Sequence, residues 1–196
     1  MGYPLREERP GAIYHVGTRG NNRRATYTDD ATRVVFLEML RRIGRRHDWR
    51  VLTYCLMGNH YHLVLELGDG GMSRGMQQLN GGYARWFNER TGRRDHLFGR
   101  RFWSREVVGD DDLVTTCSYI DANPVRSFGI AASSYAWSSY RAAIGLATPA
   151  GWHDATALWR VLAHEPRRAM DEYAALMEAL LGPDMSGVRH RNAAPT

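Results

Sequence analysis

His60 and His62 stand two residues apart in the run Met57-Gly58-Asn59-His60-Tyr61-His62-Leu63-Val64-Leu65. Its alternation of polar and apolar residues is that of a β-strand. Side chains in a strand change face at every residue, so the two imidazoles project the same way, roughly 7 Å apart at the backbone, with ring nitrogens able to converge on one ion. Tyr61, Leu63 and Leu65 take the opposite face and supply core. By itself the pair reads as a metal site or as two half-buried structural histidines. Glu66, two pleats beyond His62 on the same face, is a rival ligand or, in the better reading, a rim carboxylate.

The second feature is Ser118-Tyr119-Ile120-Asp121-Ala122-Asn123-Pro124-Val125-Arg126. Asp110, Asp111 and Asp112 sit where a helix start favours acids, and Pro124 signals its end, which puts Tyr119 in the last turns. Asn123 follows four residues on and projects from the same face. A phenol and an amide one turn apart can offer a nucleophile and an oxygen ligand to an ion held by the two histidines. Composition alone favours a plainer alternative, with Tyr119 as core and Asn123 as a helix cap.

Four segments in fixed order carry a resemblance. They are Tyr14-His15-Val16 with Arg19-Gly20-Asn21-Asn22-Arg23, the His60-Tyr61-His62 segment, Leu97-Phe98 with Arg101-Phe102 and Ser104, and Tyr119-Ile120 with Asn123-Pro124-Val125-Arg126. Together they resemble the single-tyrosine transposases of the HUH endonuclease superfamily, and within it the REP-associated tyrosine transposases. The similarity runs from about residue 8 to the Tyr135-to-Leu146 segment and continues weakly to about residue 182. The resemblance implies that Tyr119 is the nucleophile and that His60 and His62 hold Mg²⁺ or Mn²⁺, with Asn123 at the position that completes the metal shell. It also implies a single-stranded hairpin DNA partner. Related enzymes are helix-exchanged homodimers, whereas the REP-associated branch is expected to act as a monomer.

That chemistry explains the residue types. A phenol with a pKa near 10 is a poor nucleophile at neutral pH, and attack on a phosphodiester also needs its charge stabilised. A divalent ion polarises the phosphate, orients it and stabilises the departing 3′ oxygen. The expected product is a 5′-phosphotyrosine link, which conserves the bond energy, so that a second 3′ hydroxyl can rejoin strands. Arg19, Asn21, Asn22, Arg23, Arg101, Ser104 and Arg126 are the expected nucleic-acid contacts, in arginine clusters that extend to Arg24, Arg93, Arg94, Arg100 and Arg105. Trp103, Phe102, Trp86 and Tyr27 are stacking candidates. The plainer reading is a solvated charged loop with buried aromatics. At Arg100 and Trp103 the chain departs from the family pattern of a glycine and a basic residue, so its strand specificity is expected to differ. The lone His15 reads as a sheet or DNA-contact residue rather than a ligand.

Composition agrees with a small DNA enzyme. The 196 residues are 43% hydrophobic, enough for a core, and all 26 basic residues are arginine. The net charge of +5 supports nucleic-acid binding, although an all-arginine chain fits a GC-rich genome equally. Cys55 and Cys117 match no zinc or redox spacing and read as buried reduced thiols. Residues 1 to 10 carry charges and two prolines, and no apolar run approaches the ~20 residues that span a bilayer, so a cytoplasmic protein with no membrane role is expected.

The elements that must position these groups follow from periodicity. Strands are expected at Ala12 to Thr18, Trp49 to Met57, His60 to Leu67 and Phe102 to Val108, with Gly58-Asn59 closing a hairpin. Helices are expected at Asp29 to Arg46 and Ser73 to Arg90, the second weakened or bent by Gly81-Gly82. The order β, α, β, β, α, β predicts an α+β fold, the ferredoxin-like split βαβ antiparallel sheet, with helices on one face and the other left available. Residues 1–130 are read as the catalytic domain, 131–183 as a helical appendage with helices at Ala155 to Ala163 and Pro166 to Leu181, and 184–196 as a disordered tail. The expected function is a metal-dependent single-stranded DNA endonuclease and strand transferase. The alternatives are another HUH nickase, a domesticated non-catalytic nucleic-acid-binding protein, or a structural domain whose histidines bind nothing.

Overall fold

The computed structural model describes residues 8–69 and 71–186. Asp29 starts the first helix by accepting from the Thr32 N–H, while the Thr32 hydroxyl accepts from the Asp29 N–H, a reciprocal cap that satisfies two of the helix's free donors. That helix, α1 (Asp30–Arg46), connects β1 (Ile13–Arg19) to β2 (Trp49–Leu56). The Gly58-Asn59 turn then leads into β3 (His60–Leu67), and α2 (Met72–Thr91) connects β3 to β4 (Trp103–Val107). All neighbouring strands are antiparallel in the order β2-β3-β1-β4, which is the split βαβ arrangement. The α+β, ferredoxin-like reading therefore holds.

α1 and α2 share one face of the sheet. Phe36 and Leu40 of α1, and Met72, Met76, Leu79, Tyr83 and Phe87 of α2, are buried against Val16, Tyr61, Leu63 and Leu65. The α2 residues recur every three or four positions, one stripe of a helix. Gly81 and Gly82 do not interrupt α2, which is continuous through them. Packing of that stripe outweighs a propensity deficit of about 1 kcal/mol per glycine.

The second face is covered over most of its area, unlike the expectation that it stays available. Leu52, Cys55, Val64 and Val107 are apolar on that side and need burial. They receive it from Leu113, Cys117 and Ile120 of α3 (Asp110–Asp121) and from the chain beyond Tyr135. α4 (Asn123–Phe128), α5 (Tyr140–Ala143), α6 (Thr156–Leu162), α7 (Pro166–Leu181) and α8 (Pro183–Ser186) complete the order. Tyr140, Leu158, Tyr173 and Met177 from α5, α6 and α7 enter this second core.

The same C-terminal stretch closes the β2 edge. The Leu56 and Ser139 N–H groups donate to the Trp137 and Tyr54 carbonyls, and the Tyr135 hydroxyl donates to the Leu56 carbonyl. A register shift between Val51 and Thr53 turns out the Leu52 carbonyl, which accepts from His153 Nε2. An exposed strand edge would template pairing with other chains, and this cover removes it. Cys55 and Cys117 are free and buried, their thiols pushed up by burial and then by Asp121. Among the described residues no helix is long and apolar enough to cross a membrane. The expected tail at 184–196 lies outside the described residues beyond Ser186.

A candidate active site on the histidine strand

The open end of the second face belongs to β3. His60 and His62 lead β3 directly after the hairpin turn and share its face, with ring centroids 5.1 Å apart. One ion about 2.1 Å from a nitrogen of each ring can span that separation. The Asn59 carbonyl oxygen Oδ1 is 2.8 Å from His60 Nδ1. That oxygen can only accept, so the proton lies on Nδ1 and the Nε2 lone pair is free.

The neighbouring strand completes the arrangement. Across from β3, Arg19 pairs with His60, Gly17 with His62 and His15 with Val64. His15 is therefore diagonal to His62, and its Nε2 lies 3.0 Å from His62 Nδ1 in a buried contact. When His62 donates from Nδ1, its Nε2 is also left as a lone pair, as metal-bound histidines require. Burial holds His62 down to about 3, helped by His15, His60 and Arg19. His60 is held at about 4 by burial and then Arg19, and His15 at about 4 by burial and then Arg105, with Asp112 opposing. All three rings are neutral at neutral pH, the state that ligates metals.

Gly17 makes room for an aromatic wall. A Cβ there would lie 2.7 Å from the Tyr61 carbonyl and 2.8 Å from the Trp103 ring. Trp103 instead lies over the glycine, its ring 4.5 Å from His15 and 5.8 Å from His62, and it stays 43% exposed. Gly17→Ala is expected to lose about 1–3 kcal/mol through this overpacking. A urea titration reads the loss as a lower midpoint, and an unchanged midpoint would show that the Tyr61 carbonyl and the Trp103 ring both give way at no cost.

Tyr119 arrives from α3. Its ring centroid lies 6.0 Å from that of His62 and 6.4 Å from that of His15, and the side chain is 45% exposed. The Arg126 guanidinium lies 5.4 Å from the Tyr119 ring centroid, a cation–π distance. Asn123 is buried at the α3–α4 junction, where Nδ2 donates to the Tyr119 and Ile120 carbonyls. Both bonds leave from the nitrogen, so Oδ1 remains the atom it can offer to a ligand.

The other expected positions are spread around this centre. Arg19 is exposed beside His60, and Asn21–Arg23 form a short 3₁₀ turn in which Asn22 and Arg23 have left-handed φ of 52° and 58°. Arg101 is exposed before β4. Ser104 pairs with Val16, on the strand face opposite Trp103, and is not brought to the histidines. Glu66 is held by Arg50 at 3.0 Å at the far end of β3. The residue missed from sequence is His15 in its contact with His62. Its alternation with Gly17 and Arg19 gives the face, but only the β1–β3 register gives the partner. Among the described residues no cluster of three or more His, Cys, Asp or Glu side chains could hold a metal. Of the expected donors, His60 and His62 are in ring contact, and a cation held by two imidazoles would take further oxygens from water and substrate phosphate.

The family model of IS200-like transposases matches residues 9–123. No curated protein matches the chain. A solved structure of a REP-associated tyrosine transposase bound to a REP hairpin superposes with a TM-score of 0.62 at 17% identity, covering 79% of this chain and 98% of its own. A presumed transposase from Deinococcus radiodurans R1 matches at a TM-score of 0.43 and 16% identity, over 61% of this chain and 96% of its own.

Proposed function

The chain belongs to the IS200-like transposases, and from that membership we propose that it is a metal-dependent single-stranded DNA endonuclease and strand transferase acting on hairpin-forming repeats. The observation that carries this reading is the Tyr119 ring 6.0 Å from that of His62, beside two neutral imidazoles whose Nδ1 atoms are engaged. His60 and His62 would hold Mg²⁺ or Mn²⁺ through Nε2, with Asn123 Oδ1 as the further oxygen. When bound, the ion would supply charge for the scissile phosphate and the departing oxygen.

The protein's own groups do the rest. Tyr119 forms the bond from its phenolic oxygen to the 5′ phosphorus, the bond to the 3′ oxygen breaks, and the phenol proton is balanced by the new 3′ hydroxyl. No external energy source is needed, and reversal by another 3′ hydroxyl rejoins strands. Arg126, whose guanidinium lies 5.4 Å from the ring centroid, is placed to offer its charge to the phosphate that Tyr119 would attack. Arg19, Asn21, Asn22, Arg23, Arg101 and Ser104 are proposed nucleic-acid contacts. α3 packs on its own chain's second core with the Tyr119 ring 6.0 Å from that of His62, an arrangement that suits cleavage by a monomer.

Hairpins copied from repeats flanking the gene, mixed with the protein and Mg²⁺ or Mn²⁺, are expected to give a covalent adduct on a denaturing gel. Tyr119→Phe is expected to give none while still binding the hairpin. A second reading, a domesticated binding protein without turnover, is favoured by Asn123 acting as a helix cap. Salt-sensitive hairpin binding with no adduct under either ion would select it.

A further inference from the structure

We infer that the outer face of α2 and the run from Phe98 to Phe102 form a groove for unpaired nucleotides of the strand that is cut. This rests on the single-strand nuclease reading above. Two hollows of about 610 Å³ each meet at Phe98, and Asn80 and Gly81 of α2 line both. Each is large enough for a base with its sugar.

The walls have the chemistry of nucleic-acid recognition. Arg74, Arg85, Arg94 and Arg100 line the hollows, and among the described residues they pair with no carboxylate. The one acid at the rim, Asp95, is held by Arg24 and Arg93. The Tyr61 hydroxyl donates to Asn80 Oδ1 at 2.6 Å, which fixes that amide and keeps its NH₂ donors for a ligand. Guanidinium groups take phosphates, fixed amides take base edges, and the half-buried Phe98 ring between the hollows is a stacking surface. Bases reach such hollows only when they are unpaired.

Gly81 and Gly82 are otherwise unexplained. A Cβ at either would meet nothing within 4 Å, so no packing inside the described chain requires them. Two mid-helix glycines nevertheless weaken the helix by about 1 kcal/mol each. A side chain at Gly81 would stand in the groove, so close approach of a ligand gives the glycine its reason.

The groove is joined to the active site. The Phe98 backbone bridges to Gly20, and Gly99 donates to the carbonyl of Arg19, whose cross-strand partner is His60. Alternation along the adjoining strand puts Phe102 at the groove and Trp103 on the histidines. The hollows and the histidines thus lie on opposite faces of the sheet, and a strand leaving His60 and Tyr119 would reach the hollows around the edge formed by Arg19, Gly20 and Phe98.

The test compares fluorescently labelled hairpins with and without an unpaired tail, measured by anisotropy in EDTA. The wild type is expected to bind the tailed DNA at least about tenfold more tightly, a stacked base being worth 1–3 kcal/mol. Gly81→Leu, which improves helix propensity and so keeps the fold, is expected to abolish that preference and leave the blunt hairpin unchanged. Arg85→Ala is expected to lower the salt slope on tailed DNA by about 1. Equal affinity of the wild type for both DNAs, or undiminished tail preference in Gly81→Leu, overturns the groove. Adduct formation is scored separately, so a preserved tail preference without adduct counts against the nuclease reading alone.

Discussion

His62→Ala is expected to slow covalent adduct formation by about 10³-fold or more, since metal charge stabilisation is worth several kcal/mol and about 4 kcal/mol corresponds to 10³ in rate. His62 combines two features that no other position has. It is one of the two neutral imidazoles proposed to hold the ion, and its Nδ1 is engaged by His15. The variant should also lose Mn²⁺ affinity in titration calorimetry, while hairpin binding in EDTA stays within about threefold. Omitting the ion from the wild type should reproduce the rate loss. Adduct formation at an undiminished rate by folded His62→Ala would remove the metal from the scheme.

Asp121→Asn is expected to stabilise the protein at alkaline pH by up to about 4 kcal/mol. Asp121 is fully buried two residues after Tyr119, accepting from the Tyr173 hydroxyl at 2.8 Å and the Thr53 hydroxyl at 3.5 Å. Among the described residues no cation pairs with it, and burial pushes it from 3.8 up to about 7 against the lowering effect of Tyr173 and Thr53. The folded chain thus keeps a proton that the unfolded chain releases between about pH 4 and pH 7. Stability from this group is present below pH 4 and falls as pH rises to 7, at about 1.4 kcal/mol per pH unit.

Asparagine keeps an acceptor for Tyr173 without a charge, so wild type and variant should agree near pH 4 and diverge toward pH 8. His15, His60 and His62 act in the opposite direction. Their lowered values withdraw stability as pH falls below 6.5, equally in both proteins, so the difference between the two unfolding curves isolates Asp121. Parallel curves from pH 4 to pH 8 would show that Asp121 is ionised in the fold. The carboxyl joins α3 to Thr53 of β2 and Tyr173 of α7, so the helix bearing Tyr119 is anchored through a polar contact inside an apolar core.

What the sequence made legible is what short-range periodicity encodes. The hairpin at Gly58-Asn59, the shared face of His60 and His62, and the acidic start of the Tyr119 helix all depend on neighbours within one or two turns. Gly81-Gly82 leave α2 continuous because their propensity deficit is small beside a stripe of five buried side chains. The His15–His62 contact depends on β1–β3 register, and the seat of Trp103 on Gly17 depends on β1–β4 register. Cover of the second face by residues from Tyr135 onward depends on contacts with β2 about eighty residues away in sequence, which local patterns do not announce. Asn123 reads both as cap and as ligand because its nitrogen is committed to the Tyr119 and Ile120 carbonyls while its oxygen is left over.

The most direct measurement uses the absence of lysine. Trypsin cuts only after arginine here, and Glu106–Arg126 then carries Tyr119 as its single tyrosine. After reaction with hairpin DNA and Mn²⁺, nuclease trimming and digestion, that peptide is expected to gain the mass of a 5′-linked nucleotide on Tyr119. Cut DNA with that peptide unmodified, or with the nucleotide on another tyrosine, would contradict the tyrosine mechanism at this site.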